Sequence, residues 1–115
     1  MAKMTEEKKI QNAAIKHATG KGIPTIRMFF GPGIQTGWPD VLFLIPGGRP
    51  LFIEFKAPGE EPTKKQEKKI ATLRELNYDV CWTDGRDEAK EMIDQALAAA
   101  KESEEMDLAV ERGGF

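Results

Sequence analysis

Three charged residues stand at the ends of, or inside, two apolar runs that otherwise read as strands. The stretch from Gly37 to Gln66 is G-W-P-D-V-L-F-L-I-P-G-G-R-P-L-F-I-E-F-K-A-P-G-E-E-P-T-K-K-Q. Its runs Val41–Ile45 and Leu51–Phe55 flank Pro46-Gly47-Gly48-Arg49-Pro50, which is a β-hairpin signal. Asp40 opens the first run, Glu54 lies inside the second, and Lys56 closes it. Residues i and i+2 of a strand share a face, so Glu54 and Lys56 project together, with Phe52 on their side. With the turn centred on Gly48, Asp40 falls opposite Lys56 and diagonal to Glu54. Cross-strand neighbours lie about 5 Å apart and diagonal ones about 7–8 Å. Two carboxylates and an ammonium then occupy one small patch. Clustered carboxylates repel unless a positive charge lies between them. A hard divalent cation meets that need, and Mg²⁺ takes one or two carboxylates while keeping several waters. The alternative is a surface ion cluster on an amphipathic hairpin.

The string as a whole resembles a known family. Pro39-Asp40 followed by Glu54-x-Lys56 is similar to the motif of the PD-(D/E)xK nuclease superfamily. The wider pattern, Gly37-x-Pro39-Asp40, a strand pair, Ile53-Glu54-Phe55-Lys56-Ala57-Pro58 and then Gln66, resembles the VRR-NUC family within it. The resemblance runs from about Glu6 to Met92. It implies hydrolysis of DNA phosphodiester bonds with Mg²⁺ or Mn²⁺ as cofactor. The metal ligands it implies are Asp40, Glu54 and the backbone carbonyl of Phe55. It also implies roles for Lys56, for Gln66 and for a glutamate on the first helix, carried by position onto Glu7, with Glu6 its competitor. Small standalone members resemble junction-resolving enzymes, so the resemblance implies branched DNA as substrate and a homodimer. A flap or single-strand nicking nuclease, and an inactive nuclease fold that binds DNA, are the alternatives.

Composition bounds these readings. A chain of 115 residues suits one domain. Its net charge of −2 gives no global signature of a nucleic-acid binder, which leaves a local basic surface open. One cysteine, Cys81, and one histidine, His17, leave no internal disulfide and make a Cys/His zinc site untenable in a single chain. With no signal peptide and no long apolar run, the chain reads as soluble and cytoplasmic, and a phage or bacterial host fits.

The elements that must position the charged residues follow from periodicity and punctuation. Thr5 is a good N-cap, and Ile10, Ala13, Ala14 and His17 recur at helical spacing, so a helix is expected from Glu6 to Thr19. His17, on its apolar side, is expected to be a partly buried helix residue. Thr25–Phe30 reads as a strand with Arg27 solvated, and Gly31–Gly37 as a glycine-rich connection. Trp38 either stacks on a base or packs on the core. Thr63-x-x-Gln66 is a capping box that starts the next helix, with Ile70, Leu73 and Leu76 as its buried stripe. That box competes with the site for the Gln66 amide. Lys64, Lys65, Lys68 and Lys69 open this helix, and Lys64, Lys65 and Lys68 are candidate phosphate contacts. Asn77 suits a helix C-terminus, and Tyr78–Thr83 is the next strand, parallel to the hairpin's second strand by the crossover rule. A last helix is expected from Glu88 to Lys101, with Ala89, Met92, Ile93, Ala96, Leu97 and Ala100 on one side.

The expected fold is therefore α/β, a restriction-endonuclease-like αβββαβ core. It has a central mixed β-sheet flanked by helices, plus a C-terminal helix. Residues 1–101 form the single domain. Residues 102–115 form an acidic tail, either disordered or at a dimer contact.

Overall fold

The computed structural model describes residues 4–28 and 36–111, with side chains to residue 108. The fold is α/β and follows the expected order. Helix α1 (Glu6–Gly20) precedes strands β1 (Thr25–Arg27), β2 (Val41–Ile45) and β3 (Arg49–Phe55). Helix α2 (Lys64–Glu75), strand β4 (Asp79–Thr83) and helix α3 (Arg86–Glu111) complete it. The sheet runs β1-β2-β3-β4, antiparallel through β3 and parallel between β3 and β4. A strand–helix–strand connection through α2 imposes that parallel step.

The two faces of the sheet are unlike. Val41, Phe43, Ile45, Leu51, Ile53 and Phe55 point to one face, where they are buried against Ile10, Ala14 and Ala18 of α1 and Ala89, Ile93 and Ala100 of α3. Small residues on both helices let them lie close to the sheet and to each other. On the other face α2 lays Ile70 and Leu73 against Val80, with Trp38, Phe52 and Trp82 at the margin. Glu54 belongs to this second face, where the apolar cover is thinner.

Four expectations are corrected. The hairpin register places Val41 opposite Ile53 and Ile45 opposite Arg49, so the turn is the three residues 46–48 centred on Gly47. Gly47 and Gly48 both take left-handed φ, 86° and 72°, which closes the loop tighter than a five-residue turn centred on Gly48. Continued by one pair, this register sets Asp40 opposite Glu54 and makes Lys56 the diagonal neighbour. The shift is two residues, so the side-chain face is preserved. Pro50 is accommodated inside β3 because Leu44 N–H points away from it, to Pro24 O at 2.9 Å. Leu44–Pro50 is thus a pair without mutual hydrogen bonds, and β4 pairs only from Leu51 onward.

The first strand is shorter than Thr25–Phe30. It ends at Arg27, with Met28 N–H still donating to Asp40 O at 2.8 Å; Phe29 and Phe30 lie outside the described residues, as does most of the glycine-rich connection. Leu76 is not part of the α2 stripe. It is the C-cap and 62% exposed, because Asn77 turns the chain at φ 67°. The last helix neither starts at Glu88 nor stops at Lys101, but runs from Arg86 to Glu111. Residues 102–111 lack glycine and proline and are rich in helix formers, so loss of the apolar stripe does not end the helix. Arg49 Nη2 donates to Ser103 Oγ at 3.0 Å and ties this extension to the hairpin.

Candidate metal-dependent active site

Asp40, Glu54 and Lys56 are brought together at one end of the sheet, next to the N-terminal turns of α1 and α2. Asp40 follows the buried Pro39 and precedes β2; its Oδ2 accepts the Phe55 backbone N–H at 2.8 Å. One side-chain oxygen thus replaces a ladder acceptor and fixes the carboxylate beside β3. Glu54 is 2% exposed. Its Oε1 accepts from Gln66 Nε2 at 3.0 Å, whereas Oε2 is buried without a hydrogen-bond partner. Lys56 leaves the strand with its N–H donating to Thr83 O at 2.9 Å, so its backbone is held by β4.

The electrostatics of this cluster are strained. Burial pushes the Glu54 carboxyl up to about 8, and the Asp40 carboxylate that faces it adds to the rise, while Lys56 opposes it. Two facing carboxyl groups are satisfied by a shared proton or by a cation. Glu7, half-buried on α1, is also raised, first by burial and then by Asp40, with Lys56 pulling it down. The structure thus turns Glu7, not Glu6, toward the cluster. Glu6 is exposed and pairs with Lys9 Nζ at 3.0 Å. The reason is helical phase: Glu7 lies three residues before the buried Ile10 and four before the buried Gln11.

Gln66 serves the cap and the cluster together. Its Oε1 accepts the Thr63 N–H at 2.9 Å, and its own N–H donates to Thr63 Oγ1 at 3.2 Å, which completes the capping box. The amide has an acceptor end and a donor end. Once the Thr63 N–H claims the oxygen, the NH₂ must face Glu54. The cap therefore dictates the orientation of the amide at the carboxylate. The Gln66→Glu protein separates the two functions. Glu at this position caps as well as Gln, but it cannot donate to Glu54 and adds a negative charge. Retained helix content with lower thermal stability in EDTA is the expected result, read by circular dichroism; unchanged stability would remove Gln66 from the cluster.

The donor set suits a hard cation. Glu54 Oε2, buried and without a hydrogen-bond partner, lies in the same cluster as the Asp40 carboxylate. Among the described residues no group of three or more His, Cys, Asp or Glu is placed to hold a metal ion. The two carboxylates Asp40 and Glu54 could hold a hard cation, since Mg²⁺ commonly takes one or two carboxylates along with waters.

The remaining candidates fall into place around this cluster. Lys64, Lys65 and Lys68 are exposed on the first turns of α2. Gly37, at φ 94°, passes so close to α2 that a Cβ would lie 3.0 Å from Lys65 Cγ and 3.3 Å from Lys65 O. The segment before Asp40 thus abuts the lysine turns. Trp38 packs beside Ile70, Leu73 and Val80, with Lys69 Nζ 4.4 Å from its ring centroid. His17 is half-buried and bonds Asp94 of α3 at 2.8 Å, which joins the two helices away from the cluster. Arg27 is exposed and donates to Asn12. Burial pushes the Cys81 thiol up to about 11, so it is no nucleophile at neutral pH. Sequence reasoning passed over Trp82 as a site residue; the register places it opposite Glu54. Its only signal was an aromatic in a strand, which is common to any core.

The family model of the VRR-NUC domain matches residues 4–87, most of the chain. This chain belongs to the VRR-NUC family. It is 42% identical over 59 residues to a protein named "Putative nuclease p44" from Acyrthosiphon pisum secondary endosymbiont phage 1. That match covers 51% of this chain and 62% of the relative, so the chain spans less than two thirds of that protein. Two solved structures named for the VRR-NUC domain share the fold. One aligns with TM-score 0.70 and 21% identity over 79% of this chain and 97% of its own. The other aligns with TM-score 0.69 and 22% identity over 84% and 91%. Among the described residues no helix is long and apolar enough to cross a membrane.

Proposed function

We propose that this VRR-NUC chain is a metal-dependent endonuclease that hydrolyses DNA phosphodiester bonds, acting on branched DNA as a homodimer. The observation that carries the reading is the buried Glu54 beside the half-buried Asp40, with an unpartnered Glu54 oxygen and Lys56 in the same cluster. A surface ion cluster has no need of a buried carboxylate oxygen without a donor. Asp40, Glu54 and the Phe55 carbonyl would hold Mg²⁺ or Mn²⁺. Such an ion supplies Lewis acidity at a phosphoryl oxygen and lowers the pKa of bound water.

The chain's own residues do the rest. Asp40 and Glu54 concentrate negative charge at one point and so define where a cation sits. The Phe55 N–H holds the Asp40 carboxylate and Gln66 holds that of Glu54. Lys56 places a positive charge where negative charge develops on the phosphate in the transition state. Glu7, raised by burial, keeps a proton acceptor or donor within the electrostatic reach of Lys56 and Asp40. Lys64 and Lys65 stand in the first turn of α2, with Lys68 one turn on, and cations there oppose the helix dipole. Phosphate contact gives that unfavourable placement a purpose. The two-fold pairing follows from the substrate: one site per chain cuts both strands of a symmetric junction only in a pair.

The test is cleavage of a labelled four-way junction beside linear duplex, flap and single strand, with Mg²⁺, Mn²⁺ or EDTA. Paired, metal-dependent nicks near the branch are expected. Cutting of flap or single strand alone would retain the metal site and reject the junction substrate. No cutting with either metal would make the chain a DNA-binding module.

A further inference from the structure

The geometry points to a nucleobase slot between α2 and β4, one strand over from Glu54. The slot takes a planar heteroaromatic ring bearing N–H donors and passes over phosphate. For nucleic acid as the source of that ring, the inference rests on the proposed nuclease reading.

A cavity of about 360 Å³ opens between α2 and β4, lined by Pro62, Glu67, Ile70, Ala71, Arg74 and Trp82, with Glu61 at the rim. That volume is at the small end of ligand pockets, right for one ring system. Its apolar wall is backed by packed side chains. Trp82 packs against the cluster of Ile70, Leu73 and Val80, and Ile70 itself lines the cavity. An indole fixed in this way is a stacking platform, and stacking tolerates any base because every base has a π-face. Arg74 Nη2 donates to Val80 O at 3.3 Å, which anchors the guanidinium along the wall. A planar guanidinium stacks on a ring or donates to its acceptors.

The two glutamates decide the class of ligand. Glu61 and Glu67 are exposed at the cavity. Carboxylates repel a phosphate but accept from ring N–H and exocyclic amino groups, as they do from cytosine N4. The cavity therefore selects the base and leaves the phosphate outside.

Position links the slot to the candidate active site. Trp82 is the register partner of Glu54, so their backbones lie one strand spacing apart, about 4.8 Å. On α2, Gln66 donates to Glu54 while the next residue, Glu67, lines the slot. A nucleotide whose phosphate lies at Asp40–Glu54 thus has an aromatic receptacle close by for an unpaired base. Extruding a base is least costly where it is already unpaired, so the slot favours DNA with a branch, gap or end over continuous duplex.

The test uses the full chain in EDTA, so that binding is read without cleavage. In the Trp38→Phe protein, Trp82 is the sole tryptophan. Its fluorescence is expected to be quenched by a duplex carrying one unpaired base and not by the matched, fully paired duplex. Nucleoside monophosphates form the second arm: quenching by them alone assigns the slot to free nucleotides, and quenching by the oligonucleotide assigns it to nucleic acid. Ala71→Phe fills the cavity from an exposed helix position. It should weaken binding of the unpaired-base duplex about tenfold or more, the scale of one lost base stack, and leave the paired duplex unaffected. Arg74→Ala gives a second variant outside the packed cluster, with the same selective loss expected. No quenching by any ligand, or equal loss on both duplexes in both variants, overturns the slot. Metal-dependent cutting without quenching would reject the slot alone. Quenching without cutting would keep the slot and reject the nuclease reading.

Discussion

The Glu54→Gln protein is expected to lose metal-dependent DNA cleavage by at least about 10²-fold, the scale of one electrostatic group removed from a reacting centre. The same protein should be more stable than the parent in EDTA. Glu54 is buried, faces Asp40 and has one oxygen without a donor. A neutral amide removes the repulsion and keeps the side-chain volume. At pH 8 the expected gain is about 4 °C or more in Tm, which is what about 1 kcal/mol produces in a small domain. Lower activity with higher stability is the signature of a strained functional carboxylate. Asp40→Asn should also lose cleavage. Its stability gain should be smaller, because Asp40 also accepts the Phe55 N–H, a bond that an amide oxygen only partly replaces. Full cutting by Glu54→Gln would sink the nuclease assignment. Loss of both activity and fold would make Glu54 a structural residue.

Stability of the metal-free protein should fall as pH rises from about 5 to 8. Glu54 has an ordinary value of 4.5 and is raised to about 8 in the fold, and Glu7 is raised as well. Between those values the folded chain holds more protons than the unfolded chain. The slope of stability against pH is then negative. The penalty begins near the unfolded value and is complete above about 8. Adding Mg²⁺ or Mn²⁺ acts in the opposite direction, since a cation that binds only the folded state stabilises it by mass action. The expected result is a small metal-induced rise in Tm at pH 5 and a much larger one at pH 8. Glu54→Gln should flatten both the pH slope in EDTA and the response to metal. A thermal shift series across pH, with and without metal, reads all of this in one experiment. A slope unchanged by the substitution would show that other groups govern the pH response.

The Gln66 amide shows why a helix cap and a site need not compete. In the sequence, the capping box and the site both claim this one side chain. In the fold its two ends point in opposite directions, and the cap sets the amide so that its donor meets Glu54. A local motif thereby becomes part of the positioning of a carboxylate twelve residues away in sequence.

Local rules were enough for the elements. Apolar spacing placed α1, β2, β3, α2 and β4, Thr5 and Thr63 marked helix starts, and the crossover rule gave the parallel strand. The period of two put Glu54, Lys56 and Asp40 on one face, and that face survived a register error because the error was an even number of residues. Other features depended on contacts that no local pattern encodes. The turn geometry of Gly47 and Gly48 set which residue stands opposite Asp40. The rotation of α1 over the sheet turns Glu7, the glutamate that the resemblance implies, toward the cluster and leaves its competitor Glu6 paired with Lys9. Helix α3 continued past its apolar stripe because helix propensity outlasts amphipathicity where no glycine or proline intervenes. Trp82 became a neighbour of Glu54 only when β4 paired with β3. Periodicity assigns a side chain to a face, but register and packing between distant segments assign its neighbours, and the chemistry of this protein lies with the neighbours.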